Sequence, residues 1–490
     1  MKKQEPVMKI PERIRFSGVC FGKTPYYYKI ADGIKNLQSV CFLRWKMLYN
    51  ENERNDRIRT KEKGKQQRKE RSLTLTLIEL YDKTPVENIL GSLALKPDKV
   101  VYVTPESRKA IRAIPNYQKI LKGRGIHLEM RVKSITKNDL EAIVAALYDI
   151  ISDPSDNYVI DISGGDEGAL VALGIVMGST DLRVSAFRMN VLSRRGVWFD
   201  IRRSEDGRRE IERTVMDYTG QTQVHLTVQE NVMLHGGRIY GESYTFRKGD
   251  PVCGDIDELW KLCRRDCSGW NAKINRISGC VSRYGDERNE LYCVADDDIG
   301  RKGGVDRDFW ETFVDGGFVR IDEKYTGRGV TVFRYKSKPV QDCLTKAGSL
   351  FEYYTYKTAL ECERNGAAVY DSATTGIVLG WNEEIDTTRN EIDVMLMSGM
   401  VPVFISCKNG DVETDELYKL NTVAKKFGVG YARCALAATA FFDPQDRAYS
   451  GDAASANIKG RADDMNVRII GAINRMSEKD FSDAIANLMR

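Results

Sequence analysis

A chain of 490 residues is longer than a single hydrophobic core sustains and divides into about three compact units. Lys and Arg number 75 against 70 Asp and Glu, a net charge of +5, which permits a nucleic-acid partner without demanding one. No apolar run reaches the roughly 20 residues of a membrane span, Met1 to Arg15 lacks a signal peptide's apolar core, and the eleven cysteines show no zinc-ligand spacing, so a cytoplasmic protein with reduced thiols is expected.

Residues 1–72 stand apart. They end in a dense charged run from Glu51 to Arg71 that cannot bury a core, and read as a basic extension, helical or disordered. Such a tail either contacts nucleic acid or is simply solvated.

From Leu73 the pattern becomes regular. Strand-like runs at Leu73 to Leu80, Val100 to Val103, His127 to Val132 and Tyr158 to Ile162 alternate with helical stretches at Pro85 to Leu95, Glu106 to Leu121, Asn138 to Ile151 and Asp166 to Met177. The alternation predicts an α/β unit over 73–219, with a parallel sheet between helices. Ligands of such sheets bind beyond the C-terminal ends of the strands. Two loops fall there: Tyr81, Asp82, Lys83, Thr84 and Pro85 after the first strand, and Ser163, Gly164, Gly165 and Asp166 between a strand and a helix, where backbone amides can approach a phosphate. Tight strand-to-helix packing alone also selects glycine.

Residues 220–345 read as a connector. Asp257 to Cys267 and Val305 to Val314 are helical in pattern, and two strands, Phe318 to Ile321 and Val330 to Tyr335, follow around a charged loop. Helix and hairpin together are winged-helix-like, either a DNA reader with Lys324, Arg328 and Arg334 on the wing or a rigid spacer.

In residues 346–490 a helix from Leu350 to Glu363 and a strand from Gly376 to Trp381 precede two apolar strands around Ser398, Gly399 and Met400. A helix from Glu413 to Phe427 and a strand from Gly430 to Ala437 follow. A turn centred between Gly399 and Met400 sets Asp393 opposite Ser406 and Glu391 opposite Lys408. Period-two alternation then puts all four on one face. Two carboxylates, a hydroxyl and an amine gathered there suit metal-assisted phosphodiester cleavage; an exposed hairpin with one polar face is the plainer alternative.

The run "LIELYDKTPVENILGSLALKPDKVVYVTP" with "YVIDISGGDEGALVALGIV" resembles a CARF domain, the Rossmann-like cyclic-oligoadenylate sensor of type III CRISPR defence. The stretch "NEIDVMLMSGMVPVFISCKNG", with "LFEYYTYKTAL" before it and "ELYKLNTVAKKFG" after it, resembles the PD-(D/E)xK restriction-endonuclease-like domain of CARF-linked ancillary nucleases. The resemblance implies a homodimer with cyclic tetraadenylate as activator, held by Tyr81 to Pro85, Thr104 and Ser163 to Asp166. It further implies a nuclease acting on DNA or RNA with Mn²⁺ or Mg²⁺. Asp166 and Glu167 depart from the Thr and Lys found in many members; Lys83, Arg108 and Lys109 are the candidate counter-charges. By the same resemblance Asp393 matches the metal-binding Asp, Lys408 the catalytic Lys, and Cys407 the position whose backbone carbonyl ligates metal. Ser406 stands where many members carry an acidic residue. Glu391 and Glu352 are the candidate replacements, against a plain ion pair with Lys408 for the first and a helix-terminus carboxylate for the second. The other readings are a ligand-controlled DNA-binding regulator with a degenerate nuclease fold, and a nuclease that ignores cyclic nucleotide.

Overall fold

A computed structural model describes residues 74–137, 139–153, 156–179, 184–203, 209–219, 224–381, 389–410, 412–439 and 453–490. The chain divides into two compact units, Met1–Ser72 and Leu73–Arg490. The expectations for residues 1–72 lie outside the described residues.

The second unit opens with β1 (Thr74–Leu80), α1 (Glu87–Leu95), β2 (Lys99–Thr104), α2 (Ser107–Gly123), β3 (Glu129–Ser134), α3 (Leu140–Ile150), β4 (Asp156–Asp161), α4 (Glu167–Ser179) and β5 (Val184–Asn190). The five strands are parallel in the order β3-β2-β1-β4-β5, as the alternation predicts. Side-chain caps open α3 and α4: the Asp139 carboxylate accepts the Ala142 amide at 2.9 Å, and the Asp166 carboxylate the Ala169 amide at 2.8 Å. Because β2 and β4 flank β1, the chain switches direction there, and the loops after β1 and β4 become neighbours. An antiparallel pair, β6 (Arg195–Arg203) and β7 (Arg209–Asp217), extends this sheet. Its charge-rich sequence hides the alternation of a half-buried strand.

Next come α5 (Val228–Leu234), opened by a capping box between Thr227 and Glu230, and β8 (Arg238–Gly241). The connector follows: α6 (Pro251–Cys263), α7 (Cys267–Cys280), β9 (Ser282–Arg283), β10 (Tyr292–Ala295), α8 (Arg307–Asp315), β11 (Val319–Ile321), β12 (Val330–Tyr335) and α9 (Lys338–Thr345). Its strands form a small sheet ordered β11-β12-β10-β9. The one helix expected over Asp257 to Cys267 is two, because Asp266 caps a new helix by accepting the Gly269 amide at 2.9 Å.

The remaining elements are α10 (Ser349–Glu361), β13 (Glu363–Arg364), β14 (Ala367–Ala368), β15 (Ser372–Gly380), β16 (Arg389–Ser398), β17 (Val401–Lys408), α11 (Thr414–Phe427), β18 (Arg433–Ala438), α12 (Ala453–Asp464), β19 (Val467–Ile470) and α13 (Glu478–Ala486). They build a mixed sheet ordered β19-β18-β17-β16-β15-β8. Its edge strand β8 comes from ahead of the connector, within the stretch the sequence assigns to it.

One face of this mixed sheet packs on α10 and the connector, where Trp260 stacks on Tyr354 at 4.5 Å. The other face, covered by α11, shares one continuous core with α1 and α2 of the first sheet, including Ile89, Tyr117, Met395, Phe404 and Leu420. Polar contacts reinforce this joint: Tyr431 donates to the Glu87 carboxylate. Arg194, in the turn between β5 and β6, donates to Asp371 at 2.9 Å and Ser398 at 3.1 Å.

Candidate active site

β16 and β17 pair with Val394 opposite Ile405, Met395 opposite Phe404 and Ser398 opposite Val401, the register the apolar pattern predicts. Gly399 takes φ +62°, a left-handed value that a two-residue hairpin turn demands and glycine supplies without strain. Asp393 and Ser406 meet as expected. The Ser406 hydroxyl donates to Asp393 Oδ2 at 3.2 Å, and the Cys407 amide donates to the same oxygen at 2.6 Å. The end of β17 is held from both sides: the Thr439 amide donates to the Lys408 carbonyl at 3.0 Å. Asn271 of α7 exchanges hydrogen bonds of 2.6 and 2.8 Å with Asn409.

Glu391 does not join Lys408. Val394 and Leu396 belong to the core under α10, and Met395 and Met397 to the core under α11. Strict alternation would put Ile392 with Val394, yet it belongs with Met395. The break in alternation falls at Asp393, where the ladder with β15 passes from Thr375–Val394 to Ile377–Ile392 in one register across Gly376, whose φ is +57°, and the Thr375 hydroxyl bonds the Asp393 carbonyl at 2.8 Å. Glu391 is exposed, and its charge acts on Glu352 of α10. Lys408 pairs instead with Glu416 Oε2 of α11 at 3.1 Å.

Glu416 is the residue that the sequence reading misses. It lies 3.4 Å from the Ser406 hydroxyl through the same oxygen, while its other oxygen takes Lys419 at 2.9 Å. Its only sequence signal is an acidic position in the first turn of a helix, which a helix dipole alone explains.

Burial raises the Asp393 carboxyl, and the Glu416 charge adds to this, although the Cys407 amide, Lys408 and Ser406 oppose it. Burial, Asp393 and Glu391 push Glu352 up to about 8. Burial works against Glu416, but Lys419 and Lys408 hold it below its ordinary range. Among the described residues no three His, Cys, Asp or Glu side chains already converge as metal ligands. The site nevertheless fits a hard divalent cation. Mutually repelling carboxylates crowd a partly buried pocket, and Mg²⁺ or Mn²⁺ binds through one or two carboxylates plus waters. Asp393 and the Cys407 carbonyl are the groups that would hold it.

At the other sheet the two expected loops are in contact. Gly165 has φ +96°, and a Cβ on Gly164 would come within 2.7 Å of the Asp82 Cβ. Asp82 shapes its own loop by accepting the Thr84 amide at 2.9 Å, and its amide donates to Asn88 at 2.7 Å. Tyr81 meets Tyr102 edge to face, and the Ser163 hydroxyl accepts the Met189 amide of β5 at 2.9 Å. Asp166 turns its carboxylate into its own helix, accepting the Ala169 amide at 2.8 Å. Thr104 is fully buried and accepts the Glu106 amide, so it shapes the loop from beneath. Lys83 and Arg108 are exposed; Lys109 is engaged by Glu106 at 2.8 Å.

Neither a family model nor a curated protein sequence matches the chain. Solved structures do. The crystal structure of protein VC1899 from Vibrio cholerae aligns over 85% of this chain and 98% of its own length, with a TM-score of 0.58 and 14% identity. Can2 from Sulfobacillus thermosulfidooxidans, solved in complex with cyclic tetra-adenylate, aligns over 84% of this chain and 97% of its own, with a TM-score of 0.52 and 13% identity. At such identities the likeness is one of fold alone: a mixed α/β chain in which a seven-stranded sheet, a small connecting sheet and a six-stranded mixed sheet follow one another.

Proposed function

We propose that this chain is a homodimeric nuclease of type III CRISPR defence, switched on by a cyclic oligoadenylate at the loops after β1 and β4 and cutting DNA or RNA at the β16–β17 hairpin. The observation that carries this reading is the meeting of Asp393, Ser406 and the Cys407 amide at the end of a fixed hairpin, with Lys408 next in the strand and paired to Glu416, in the same compact unit as the paired loops after β1 and β4. That Can2 was solved with cyclic tetra-adenylate supports the choice of activator.

A bound Mg²⁺ or Mn²⁺ would supply Lewis acidity and a water acidic enough to attack near neutral pH. Asp393, aimed by Ser406 and the Cys407 amide, holds its negative charge at the scissile phosphate. Lys408 orients the attacking water and balances the charge that grows on the phosphoryl oxygens.

Helix α4 supports the dimer. It is apolar around its whole circumference, and Leu170, Val171 and Ile175 stay 41%, 55% and 44% exposed, a face that a second copy would cover. Since α4 begins directly after the Ser163 to Asp166 loop, a two-fold axis there brings both copies of the loops to one ring-shaped ligand.

The test is cleavage of labelled single- and double-stranded DNA and RNA with Mn²⁺ or Mg²⁺, with and without cyclic tetraadenylate. Cyclic tetraadenylate is expected to raise the rate by at least about tenfold, and Asp393→Asn to abolish cleavage. No cleavage of any substrate, or cleavage untouched by Asp393→Asn, overturns the assignment.

A further inference from the structure

We propose that Glu416 is the second carboxylate that holds the divalent cation, reaching in from α11 to take the place that Ser406 leaves open on β17; this rests on the metal-dependent nuclease reading above. At that strand position the chain has a hydroxyl, which cannot supply charge to a hard cation. The hydroxyl sits between two carboxylates, 3.2 Å from Asp393 Oδ2 and 3.4 Å from Glu416 Oε2. It has one proton and so satisfies one of them fully at a time. Both acidic oxygens therefore border the same small volume beside the Cys407 backbone.

Glu416 is placed for this. Its side chain is only 16% exposed, and it stands in the first turn of α11, a helix whose Leu417 and Leu420 are locked into the core. Its two oxygens meet Lys408 at 3.1 Å and Lys419 at 2.9 Å. The other two carboxylates come from elsewhere: Glu391 is exposed, and Glu352 acts on Asp393 from α10, whose residues pack in the core on the other side of the mixed sheet from α11. Two carboxylates, one backbone carbonyl and waters make an ordinary Mg²⁺ or Mn²⁺ shell.

The full chain and its variants Glu416→Gln, Asp393→Asn and Ser406→Glu/Glu416→Gln are titrated with Mn²⁺ alone, reading free Mn²⁺ by electron paramagnetic resonance. Thermal melts of the same samples report folding. Glu416→Gln is expected to weaken Mn²⁺ binding by about tenfold or more, and the double variant to regain near-wild-type affinity, because the strand carboxylate substitutes for the helix one. If folded Glu416→Gln binds Mn²⁺ as wild type does and only its pH–rate profile moves, Glu416 is merely the ion-pair partner of Lys408 and the proposal fails while the active site stands. A folded double variant that stays weak also overturns it. Should wild type and Asp393→Asn bind Mn²⁺ equally, or neither bind it, the metal site itself is wrong and Glu416 falls with it.

Discussion

Glu79 and Asp161 are register partners on β1 and β4. Both Glu79 oxygens and one Asp161 oxygen are buried without a hydrogen-bond partner. Burial pushes Asp161 up to about 7 and Glu79 well above its ordinary range. A carboxyl whose folded pKa exceeds its unfolded one makes the folded state hold the extra proton. The stabilisation it contributes is thus full below about 3.8 and lost as pH rises through about 7. Asp161→Asn keeps an acceptor for the Ser163 amide, which now bonds Asp161 at 2.8 Å, and adds a donor facing Glu79. Urea melts should show the variant more stable at pH 8, by on the order of 2 to 4 kcal/mol, and little changed at pH 4; an equal shift at both values contradicts the assignment. In the candidate active site, the placing of Asp393, Ser406 and Lys408 is legible in the sequence because two apolar strands around Gly399 admit one register. Glu416 is not, since its approach depends on how α11 packs across the sheet. The reading of Glu391 misses because alternation breaks at Asp393, where the ladder crosses the left-handed Gly376, and no side-chain pattern reports this.

Among the elements, the hairpin β16–β17 is fixed at both ends. At its tip the Gly399 carbonyl accepts the Leu226 amide at 2.9 Å, the Gly399 amide donates to Asp371, and Arg194 binds Asp371 and Ser398. Arg194 closes the turn after β5, the strand whose Met189 amide is held by Ser163 of the loop after β4. On the proposed reading, a ligand that prefers one arrangement of the Ser163 loop thus has a short covalent and hydrogen-bonded route to the β16–β17 hairpin. Arg194→Ala is predicted to cut the stimulation by cyclic tetraadenylate about fivefold or more while calorimetric affinity for the ligand changes little. Full stimulation in that variant would place the coupling elsewhere. Helix α4 offers a second test: Val171→Glu with Ile175→Glu should yield monomers in light scattering and remove the response to ligand. The alternating strands and helices before residue 190 are legible from periodicity. The β6–β7 pair is not, because Arg and Glu dominate it.

At the scale of the molecule, the two sheets do not meet as separable beads. A single core runs from α1 and α2 to the α11 face of the mixed sheet, and β8 and α5 leave the first sheet to complete the second before the connector begins. Residues 346–490 alone would expose the β15 edge and the apolar surface that α5 covers. That fragment is predicted to aggregate when expressed, whereas residues 224–490, which restore α5, β8 and the connector, should give more soluble material, as sedimentation of the two would show. This interleaving sets how such a chain can fail. A nick or an internal start within the connector leaves the C-terminal piece without its own outer strand, β8. On the proposed reading, damage to the chain tends to silence it rather than unleash it, which protects a host whose own nucleic acids are within reach.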